Sequence, residues 1–409
     1  MNKVVVTGIG TVNPAGKNAD EFDNSLRSGK CAITNIKGQN EDGPIKVWAL
    51  TDCFVPEEHF SKKELRRMER FTQLAVTAAE EALADSSSDF DDIRPNRRGV
   101  VTGVGFGGMP YTESEYLSFL SKGHRSVSAS YVPAMVPNMA AANISMRTGF
   151  KGANFNIASA CASSAHAIGE AFRKIKDGYL DVCICGGSES TMTDFTLAGF
   201  GNMKALTKCS DPKRASIPFD KERSGFVLGE GAGMLVLEEY EHARSRGAHI
   251  YAEICGYGAS ADAFHVTLPE PSGEAICEAI GTALDEAKAA PQDVDYINAH
   301  GTSTYFNDIT ESAAINKYFG ANAKNIYVNS TKSIIGHLLG GAGAVEACAV
   351  LLQMNGGYIH PTCGTEELDE KCGLNVVTGH AIEKQINTAL SFSLGFGGHN
   401  GVLCFRKCE

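Results

Sequence analysis

The sequence predicts an α/β protein made of two similar halves, each with five strands. Strand and helix signals alternate along all 409 residues, which is typical of layered α/β proteins. Apolar residues make up 43% of the chain and charged residues 21%, a composition that indicates a globular protein. The order of the strands and the residues of their turns also repeat in the second half, which indicates a duplication.

The predicted strands are near-continuous apolar runs, as expected for strands that are buried on both faces. In the first half they cover Lys3–Ile9, Gly99–Thr102, Asn154–Ala158, Val182–Gly186 and Val227–Leu237. In the second half they cover Tyr251–Tyr257, Tyr296–Ala299, Ile326–Asn329, Thr388–Phe392 and Val402–Phe405. The turn at Cys161 corresponds to Ser330–His337 in this alignment of the halves. We expect the boundary near Arg246–His249, giving domains 1–249 and 250–409, with pocket-building and subunit-contacting insertions at Gly107–Asn138 and Phe195–Arg223.

Charge and cysteine usage exclude several functional classes. The net charge of −11 argues against general nucleic-acid binding. The 13 cysteines are scattered and form no Cys-x-x-Cys pair, so we expect no metal site and a reducing compartment. With neither a signal peptide nor an apolar run of membrane length, the sequence predicts a cytoplasmic protein.

Cys161 stands at a predicted strand–turn–helix junction within residues Asn156–Lys176. At a helix N-terminus, the dipole and the free N–H groups favour a thiolate over a thiol. Small neighbouring residues permit a sharp turn and leave the sulfur reachable. The stretch alone does not distinguish a nucleophile from a structural cysteine, because free cysteine is among the most buried residue types.

Two histidines follow predicted strand ends in the second half. His300 lies in Asn298-Ala-His300-Gly-Thr-Ser-Thr304, and His337 precedes a run of small residues. A lone histidine in such a place is more often a hydrogen-bonded core residue. However, ligands collect beyond the carboxyl ends of parallel strands, where the loops with Cys161, His300, His337 and Phe396 are all predicted to lie. A cysteine with two imidazole donors suits thioester chemistry.

Further side chains near these loops carry charge or conformational freedom. Lys332 and Glu346 flank His337, where they could fix its tautomer or form a structural ion pair. Glycines surround Phe396, so its backbone N–H is a candidate oxyanion donor and its ring can swing. A basic run is predicted to share one helix, and it is either a solvated face or a docking surface for an acidic partner. Its members are Lys62, Lys63, Arg66, Arg67 and Arg70.

Several motifs together resemble the β-ketoacyl-acyl-carrier-protein synthase family, of the type II elongating kind, within the thiolase-like superfamily. The resemblance covers essentially the whole chain and rests on Ala158-Ser-Ala-Cys161-Ala-Ser-Ser, Asn298-Ala-His300-Gly-Thr-Ser-Thr304, Ser330-Thr-Lys332-Ser-Ile-Ile-Gly-His337, Gly395-Phe396-Gly-Gly, Val4-Val-Val-Thr-Gly-Ile-Gly and Phe226-Val-Leu-Gly-Glu-Gly-Ala-Gly. It implies a layered αβαβα arrangement of the duplicated halves.

The resemblance also implies a decarboxylative Claisen condensation that elongates fatty acids. Cys161 would accept the acyl group from an acyl carrier protein, and His300 and His337 would stabilise the enolate formed when malonyl-carrier protein loses CO2. The backbone N–H groups of Cys161 and Phe396 would form an oxyanion hole, and the Phe396 ring would act as a gate. Lys332 and Glu346 would support the histidines.

The remaining implied roles concern substrate and partners. The family implies a homodimer without a permanently bound cofactor, because the carrier protein supplies the phosphopantetheine. Thr302 and Thr304 would contact the pantetheine arm, and Phe106 and Phe200 would line the acyl pocket. Carrier proteins are acidic, so the resemblance favours docking for the basic run. The implied docking residues are Lys62, Lys63, Arg66, Arg67, Arg125 and Lys204.

Two departures from the family pattern leave alternatives open. Position 394 is Leu where elongating enzymes often carry Phe, and position 106 is Phe where long-chain enzymes commonly carry a smaller aliphatic residue. A bulky ring at 106 predicts a shortened or reshaped pocket, which leaves room for a specialised synthase of a polyene or polyketide-like lipid. A degradative thiolase would need a second catalytic cysteine, which the Gly395–Asn400 loop lacks. A non-catalytic, length-setting partner subunit usually lacks the nucleophile.

Overall fold

The computed structural model describes residues 1–37 and 43–408, which form 15 strands and 13 α-helices. The strands are β1 (Val4–Val12), β2 (Thr34–Asn35), β3 (Val47–Trp48), β4 (Arg98–Gly103), β5 (Asn154–Ile157), β6 (Val182–Glu189), β7 (Gly231–Glu239), β8 (Ala252–Ala261), β9 (Tyr296–Asn298), β10 (Tyr327–Asn329), β11 (Tyr358–Ile359), β12 (Asn375–Val376), β13 (Ile382–Glu383), β14 (Thr388–Gly395) and β15 (His399–Arg406). The helices are α1 (Ala19–Ser28), α2 (Lys62–Leu65), α3 (Arg70–Asp85), α4 (Met109–Lys122), α5 (Tyr131–Met135), α6 (Met139–Thr148), α7 (Ser163–Lys176), α8 (Asp194–Asn202), α9 (Tyr240–Ser245), α10 (Glu274–Ala287), α11 (Tyr305–Phe319), α12 (Lys332–Ile335) and α13 (Ala342–Gly356).

One large sheet repeats the same topology twice. Its strand order is β12-β10-β9-β14-β15-β8-β1-β7-β6-β4-β5. The strands of the first half lie in the order β5-β4-β6-β7-β1, and the equivalent strands of the second half lie in the order β10-β9-β14-β15-β8, with β12 added at the outer edge. Parallel and antiparallel neighbours follow the same pattern in both halves. The halves join where Val4–Val6 of β1 pairs with Ala252–Ile254 of β8. The predicted duplication into five-strand halves is confirmed, whereas the domain limits 1–249 and 250–409 stay a prediction.

Helices α7 and α13 form the central layer between the two halves of the sheet. Their apolar side chains share one core with residues from both halves, including Leu235 on β7 and Leu403 on β15. Helices α3 and α6 pack on the outer face of the first half, and α10 and α11 pack on the outer face of the second. Helix α13 is buried on nearly every side, which explains its lack of a polar face. This is the αβαβα layering that the resemblance implied.

All ten predicted strands are present, but the prediction for Val227–Leu237 starts too early. Strand β7 begins at Gly231. The residues before it hydrogen-bond to loops instead: the His337 N–H donates to the carbonyl of Val227 at 2.7 Å, and the Gly229 N–H donates to the carbonyl of His337 at 3.0 Å. The segment before β7 therefore holds the backbone of His337, which is one of the predicted site residues.

The single basic helix predicted from Lys62 to Arg70 is wrong. Helix α2 ends at Leu65 after a capping box between Ser61 and Glu64, and α3 begins only at Arg70. Arg70 turns inward, where its guanidinium forms an ion pair with the buried carboxylate of Glu230 at 2.8 Å. Arg70 therefore does not belong to the exposed basic surface. In the described residues, no helix is both long and apolar enough to cross a membrane.

Candidate active site

Four loops of the two halves meet at one cavity of about 670 Å³. They follow β5, β9, β10 and β14, and they bring Cys161, His300, His337 and Phe396 to its wall. These strands run parallel to a neighbour within their own half, so their carboxyl ends open on the same side. The structure thus brings together the four loops that the sequence singled out.

A strained turn presents Cys161 at the start of α7. Ala160 has a φ of +51°, which is uncommon for a residue with a side chain, and Ala162 is the N-cap of the helix. The helix start packs closely on β4, since a Cβ on Gly103 would lie 2.3 Å from the backbone of Ser163. The sequence folds this way because only small residues fit between the strand end and the helix.

The sulfur of Cys161 lies among donors from the second half of the chain. His337 Nε2 is 3.0 Å from Cys161 Sγ, and the backbone N–H of Phe396 donates to the same sulfur. The rings of His300 and His337 lie 5.3 Å apart between centroids and stand at 85° to each other. A substrate thioester beside the sulfur would therefore meet two imidazoles and one backbone N–H.

Burial favours the thiol form of Cys161. Cys161 is 7% exposed, and burial raises the pKa of its thiol to about 12, although Lys332 and the Phe396 N–H favour the thiolate. This direction is opposite to the thiolate expected from the helix start, because desolvation is the largest contribution to the pKa. Burial also lowers the pKa values of His300 and His337 well below their ordinary value, with a further contribution from Lys332. Both imidazoles are neutral near pH 7.

Lys332 and Glu346 form a buried ion pair beside His300. Lys332 Nζ lies 3.3 Å from His300 Nδ1, and an ammonium group only donates hydrogen bonds. His300 Nδ1 therefore accepts, and the imidazole proton resides on Nε2. His337 Nδ1 is buried without a hydrogen-bond partner among the described residues, which favours placing its proton on Nε2, facing Cys161. Burial raises the pKa of Glu346 to about 7, and Lys332 opposes this shift.

Sequence reasoning missed Glu311, which supports the His300 loop from α11. Its carboxylate accepts the backbone N–H of His300 at 2.6 Å and that of Gly301 at 2.8 Å. Glu311 is fully buried, and burial raises the pKa of its carboxyl to about 7. Two acidic residues three positions apart, Asp308 and Glu311, in the helix that follows the histidine were the available signal.

A row of aromatic rings runs from His337 along the cavity wall. The Phe226 ring lies 5.2 Å from His337, Phe200 lies 5.5 Å from Phe226, and Phe106 lies 6.1 Å from Phe200 between centroids. Phe106 is 44% exposed and Phe200 only 8%, and Leu394 also lines the cavity. Both predicted pocket residues thus lie in one wall, together with Phe226, which the sequence reasoning did not assign.

The other predicted residues lie around the cavity or outside it. Thr302 and Thr304 both line it, with their hydroxyl oxygens 2.9 Å apart, and exposed Lys204 also lies in its wall. The remaining predicted docking residues are exposed and do not line the cavity: Lys62, Lys63, Arg66, Arg67 and Arg125. Among residues 1–37 and 43–408, no group of His, Cys, Asp or Glu side chains could hold a metal ion.

Comparison with known families matches both halves of the chain. Residues 1–243 match the family model for the beta-ketoacyl synthase N-terminal domain, and residues 251–366 match that for the C-terminal domain. A 3-oxoacyl-[acyl-carrier-protein] synthase 2 from Staphylococcus aureus (strain N315) is 43% identical, and the match covers 100% of this chain and 99% of that protein. A protein of the same name from Synechocystis sp. is 40% identical over 100% of this chain and 98% of its own length.

Solved structures give the same result for the fold. A beta-ketoacyl synthase from Burkholderia phymatum STM815 superposes with a TM-score of 0.93 at 34% identity, covering both chains fully. The ketosynthase complex AntDE:AntF, described as a type II PKS acyl-carrier protein in complex with its ketosynthase bound to the hexaketide, gives 0.92 at 33% identity. The ishigamide ketosynthase/chain length factor superposes with a TM-score of 0.92 at 32% identity. Both matches cover 100% of this chain and 100% of the matched chain.

Proposed function

The chain belongs to the beta-ketoacyl synthase family, and we propose that Cys161, His300 and His337 carry out its condensation reaction. This reaction joins malonyl-acyl carrier protein to an acyl chain, releases CO2 and gives a 3-oxoacyl-carrier protein, which elongates a fatty acid. The observation that carries the proposal is the 3.0 Å contact between Cys161 Sγ and His337 Nε2 in a cavity that His300 also lines.

The first half-reaction transfers the acyl group to the enzyme. Cys161 Sγ attacks the thioester carbonyl of the acyl-carrier protein, and the bond to the pantetheine sulfur breaks. The thiol proton leaves on the released pantetheine thiol, so the step is neutral overall. Negative charge that develops on Cys161 meets the His337 and Phe396 donors, which offset the burial that otherwise disfavours the thiolate.

The second half-reaction uses the imidazoles as neutral donors. The malonyl carboxylate leaves as CO2, and its electron pair moves to the neighbouring carbon as an enolate. His300 and His337, each with its proton on Nε2, donate to the enolate oxygen. The carbanion attacks the acyl-Cys161 carbonyl, whose oxygen is held by the N–H groups of Cys161 and Phe396. Collapse breaks the Cys161 thioester, and the thiolate takes up one proton from solvent, which balances the negative charge left when CO2 departs.

The supporting groups keep this arrangement in the correct protonation state. Lys332 fixes the tautomer of His300 while Glu346 balances the buried ammonium charge. Thr302 and Thr304 offer hydroxyl groups to the amides of the pantetheine arm. The half-buried Phe396 ring lines the same cavity and serves as the gate in this proposal.

An acidic carrier protein docks on the exposed basic residues in this proposal. Complementary charge speeds encounter and makes it sensitive to salt. Lys204 supports this reading because it lies in the cavity wall, where the carrier delivers its pantetheine. The enzyme works in the cytoplasm, since all 13 cysteines are free, as in a reducing compartment.

A homodimer accounts for two unpartnered features of the first half. Strand β5 ends the large sheet and pairs on one side only, with β4. The α4 insertion exposes Tyr116, Leu117 and Leu120, each at 59% or more. A second copy would extend the sheet at β5 and cover these side chains. Light scattering should then give twice the 43.4 kDa of one chain, and a monomer at micromolar concentration would contradict the assembly.

A specialised lipid synthase is the second candidate, and Phe106 favours it. Its ring narrows the cavity beside Phe200, where a long saturated acyl chain would need room. Mass spectrometry of the products made from malonyl-carrier protein with a panel of primers separates the two candidates. Saturated long-chain elongation supports the fatty-acid role, and restriction to short or unsaturated primers supports the specialised role.

The decisive experiment replaces the nucleophile. Cys161→Ala should form no acyl-enzyme and no 3-oxoacyl product, while Cys348→Ala, at another buried cysteine outside the cavity, keeps both. Acyl-enzyme formation is followed by intact-protein mass spectrometry with an acyl-carrier primer. Full elongation by Cys161→Ala would refute the nucleophile assignment.

A further inference from the structure

Glu189 is a buried carboxylate in the cavity wall that the proposed mechanism does not use. It stands at the end of β6 and is 0% exposed. Four backbone N–H groups donate to it, from two different loops. The donors are Gly105 (2.9 Å), Phe106 (3.1 Å to Oε1 and 3.2 Å to Oε2), Gly107 (3.2 Å) and Gly340 (3.3 Å).

The two loops approach Glu189 so closely that a side chain would not fit. A Cβ on Gly105 would lie 2.8 Å from Glu189 Oε2, and a Cβ on Gly340 would lie 2.7 Å from the same oxygen. Both glycines are therefore needed for the backbone N–H groups to reach the carboxylate. The full burial of Glu189 and the close approach of both loops show that its carboxylate is a specific structural contact between them.

The donors match the ionised carboxylate and not its acid form. All four groups are N–H donors, so a carboxylic O–H would face donors with nothing to accept it. Burial raises the pKa of Glu189 to about 7, and the N–H groups of Phe106, Gly105 and Gly107 oppose this shift. Charge-assisted bonds of this kind are stronger than those between neutral groups, so the carboxylate fastens both loops firmly.

These two adjacent loops both contribute to the cavity wall. The first bears Phe106, whose ring meets Phe200. The second belongs to the other half of the chain, and Leu339 and Gly340 in it line the cavity three residues or fewer after His337. Glu189 thus links the aromatic wall of the acyl pocket to the loop of a catalytic histidine.

We propose that Glu189 is a specificity-determining positioning residue, which sets the depth of the acyl pocket by holding the backbone of Phe106 against the Gly340 loop. The inference rests on the proposed condensation reaction. Without the carboxylate, the Phe106 loop is released and its ring leaves Phe200, so longer acyl chains enter. If Glu189 had only a structural role, its substitution would change the stability of the protein and leave the primer preference unchanged.

The test compares Glu189→Gln with the parent enzyme across acyl-carrier primers of increasing length. A glutamine keeps the shape but offers one oxygen and an N–H2 group that faces N–H donors. The ratio of kcat/KM for a long primer over a short one should rise about tenfold, the discrimination of roughly one methylene in an apolar pocket. Glu238→Gln is the matched control, because Glu238 is equally buried and lies outside the cavity. It should leave the ratio unchanged.

A second variant disrupts the contact between Glu189 and the Gly105 loop without removing the charge of the carboxylate. In Gly105→Ala, the new methyl group meets only Glu189 Oε2 at close range and displaces it. The same rise in the ratio is expected, and it decides the question if Glu189→Gln does not fold. An unchanged ratio in folded Gly105→Ala would overturn the inference. Condensation of the short primer by the parent enzyme is measured in parallel, so failure of the proposed function itself would be seen separately.

Discussion

Charge reversal at Arg66 and Arg67 tests the proposed docking surface. Both side chains are exposed, and neither forms an ion pair or a side-chain hydrogen bond with a described residue. Replacing both by Glu therefore removes no internal contact, and the fold should be unaffected. The substitution takes the net charge of the chain from −11 to −15.

The size of the effect follows from the energies of exposed ion pairs. Each exposed pair contributes about 0.2–1 kcal/mol. The double reversal removes two attractions to an acidic partner and adds two repulsions, which together amount to about 2 kcal/mol at roughly 0.5 kcal/mol each. Since about 1.4 kcal/mol corresponds to a factor of ten, KM for the carrier protein should rise about 30-fold.

The assay measures KM and kcat for malonyl-carrier protein at low and high salt. The substitution should raise KM and leave kcat unchanged. The rise in KM should be smaller at high salt, because the Debye length falls from about 10 Å at 0.1 M to about 3 Å at 1 M. The control is Arg94→Glu with Arg244→Glu, which gives the same net charge at two exposed positions outside the cavity. An unchanged KM, or an equal rise in the control, would refute docking at this surface.

Three further outcomes are expected. Phe106→Ala should raise kcat/KM about tenfold for primers about two methylenes longer, since each buried methylene gains about 0.8 kcal/mol and about 1.4 kcal/mol corresponds to a factor of ten; no gain would contradict the pocket assignment. Alkylation of Cys161 by iodoacetamide, followed on its own peptide, should accelerate about tenfold per pH unit from pH 7 to 9, because burial raises the pKa of the thiol to about 12; a plateau in this range would argue against that shift. Because burial lowers the pKa values of His300 and His337, their contribution to the free energy of unfolding is present above about pH 6.5 and is lost as the pH falls, when the unfolded chain binds protons. Urea unfolding should show a weaker acid dependence in the double variant His300→Gln/His337→Gln.

Much of the fold could be predicted because buried strands reveal themselves as apolar runs. The strands β4, β6, β9 and β14 all begin within one residue of their predicted starts. The prediction failed at Val227–Glu230, where the same apolar character serves loop-to-loop contacts around His337 rather than a strand. Apolar composition reports burial, and it does not report which neighbour supplies the hydrogen bonds.

The reactive loops could be located from sequence, but their electrostatics could not. A helix start predicts an activated Cys161, yet its depth in the cavity, which sets its desolvation, depends on walls from both halves. Glu189 escaped notice because its partners are backbone N–H groups of distant loops, which leave no pattern in side-chain chemistry. Arg70 lies off the predicted basic surface for a similar reason, since it pairs with Glu230 from far along the chain.

The repeated strand order has a consequence for how the catalytic groups are divided between the halves. The turn after the third strand of each half reaches the same region, and it carries the sulfur of Cys161 in one half and the ammonium of Lys332 in the other. In the proposed mechanism, equivalent turns of the two halves thus serve different roles, one as the nucleophile and the other as its electrostatic support. Because Cys161 comes from one half and His300 and His337 from the other, a polypeptide containing either half alone should be inactive in condensation.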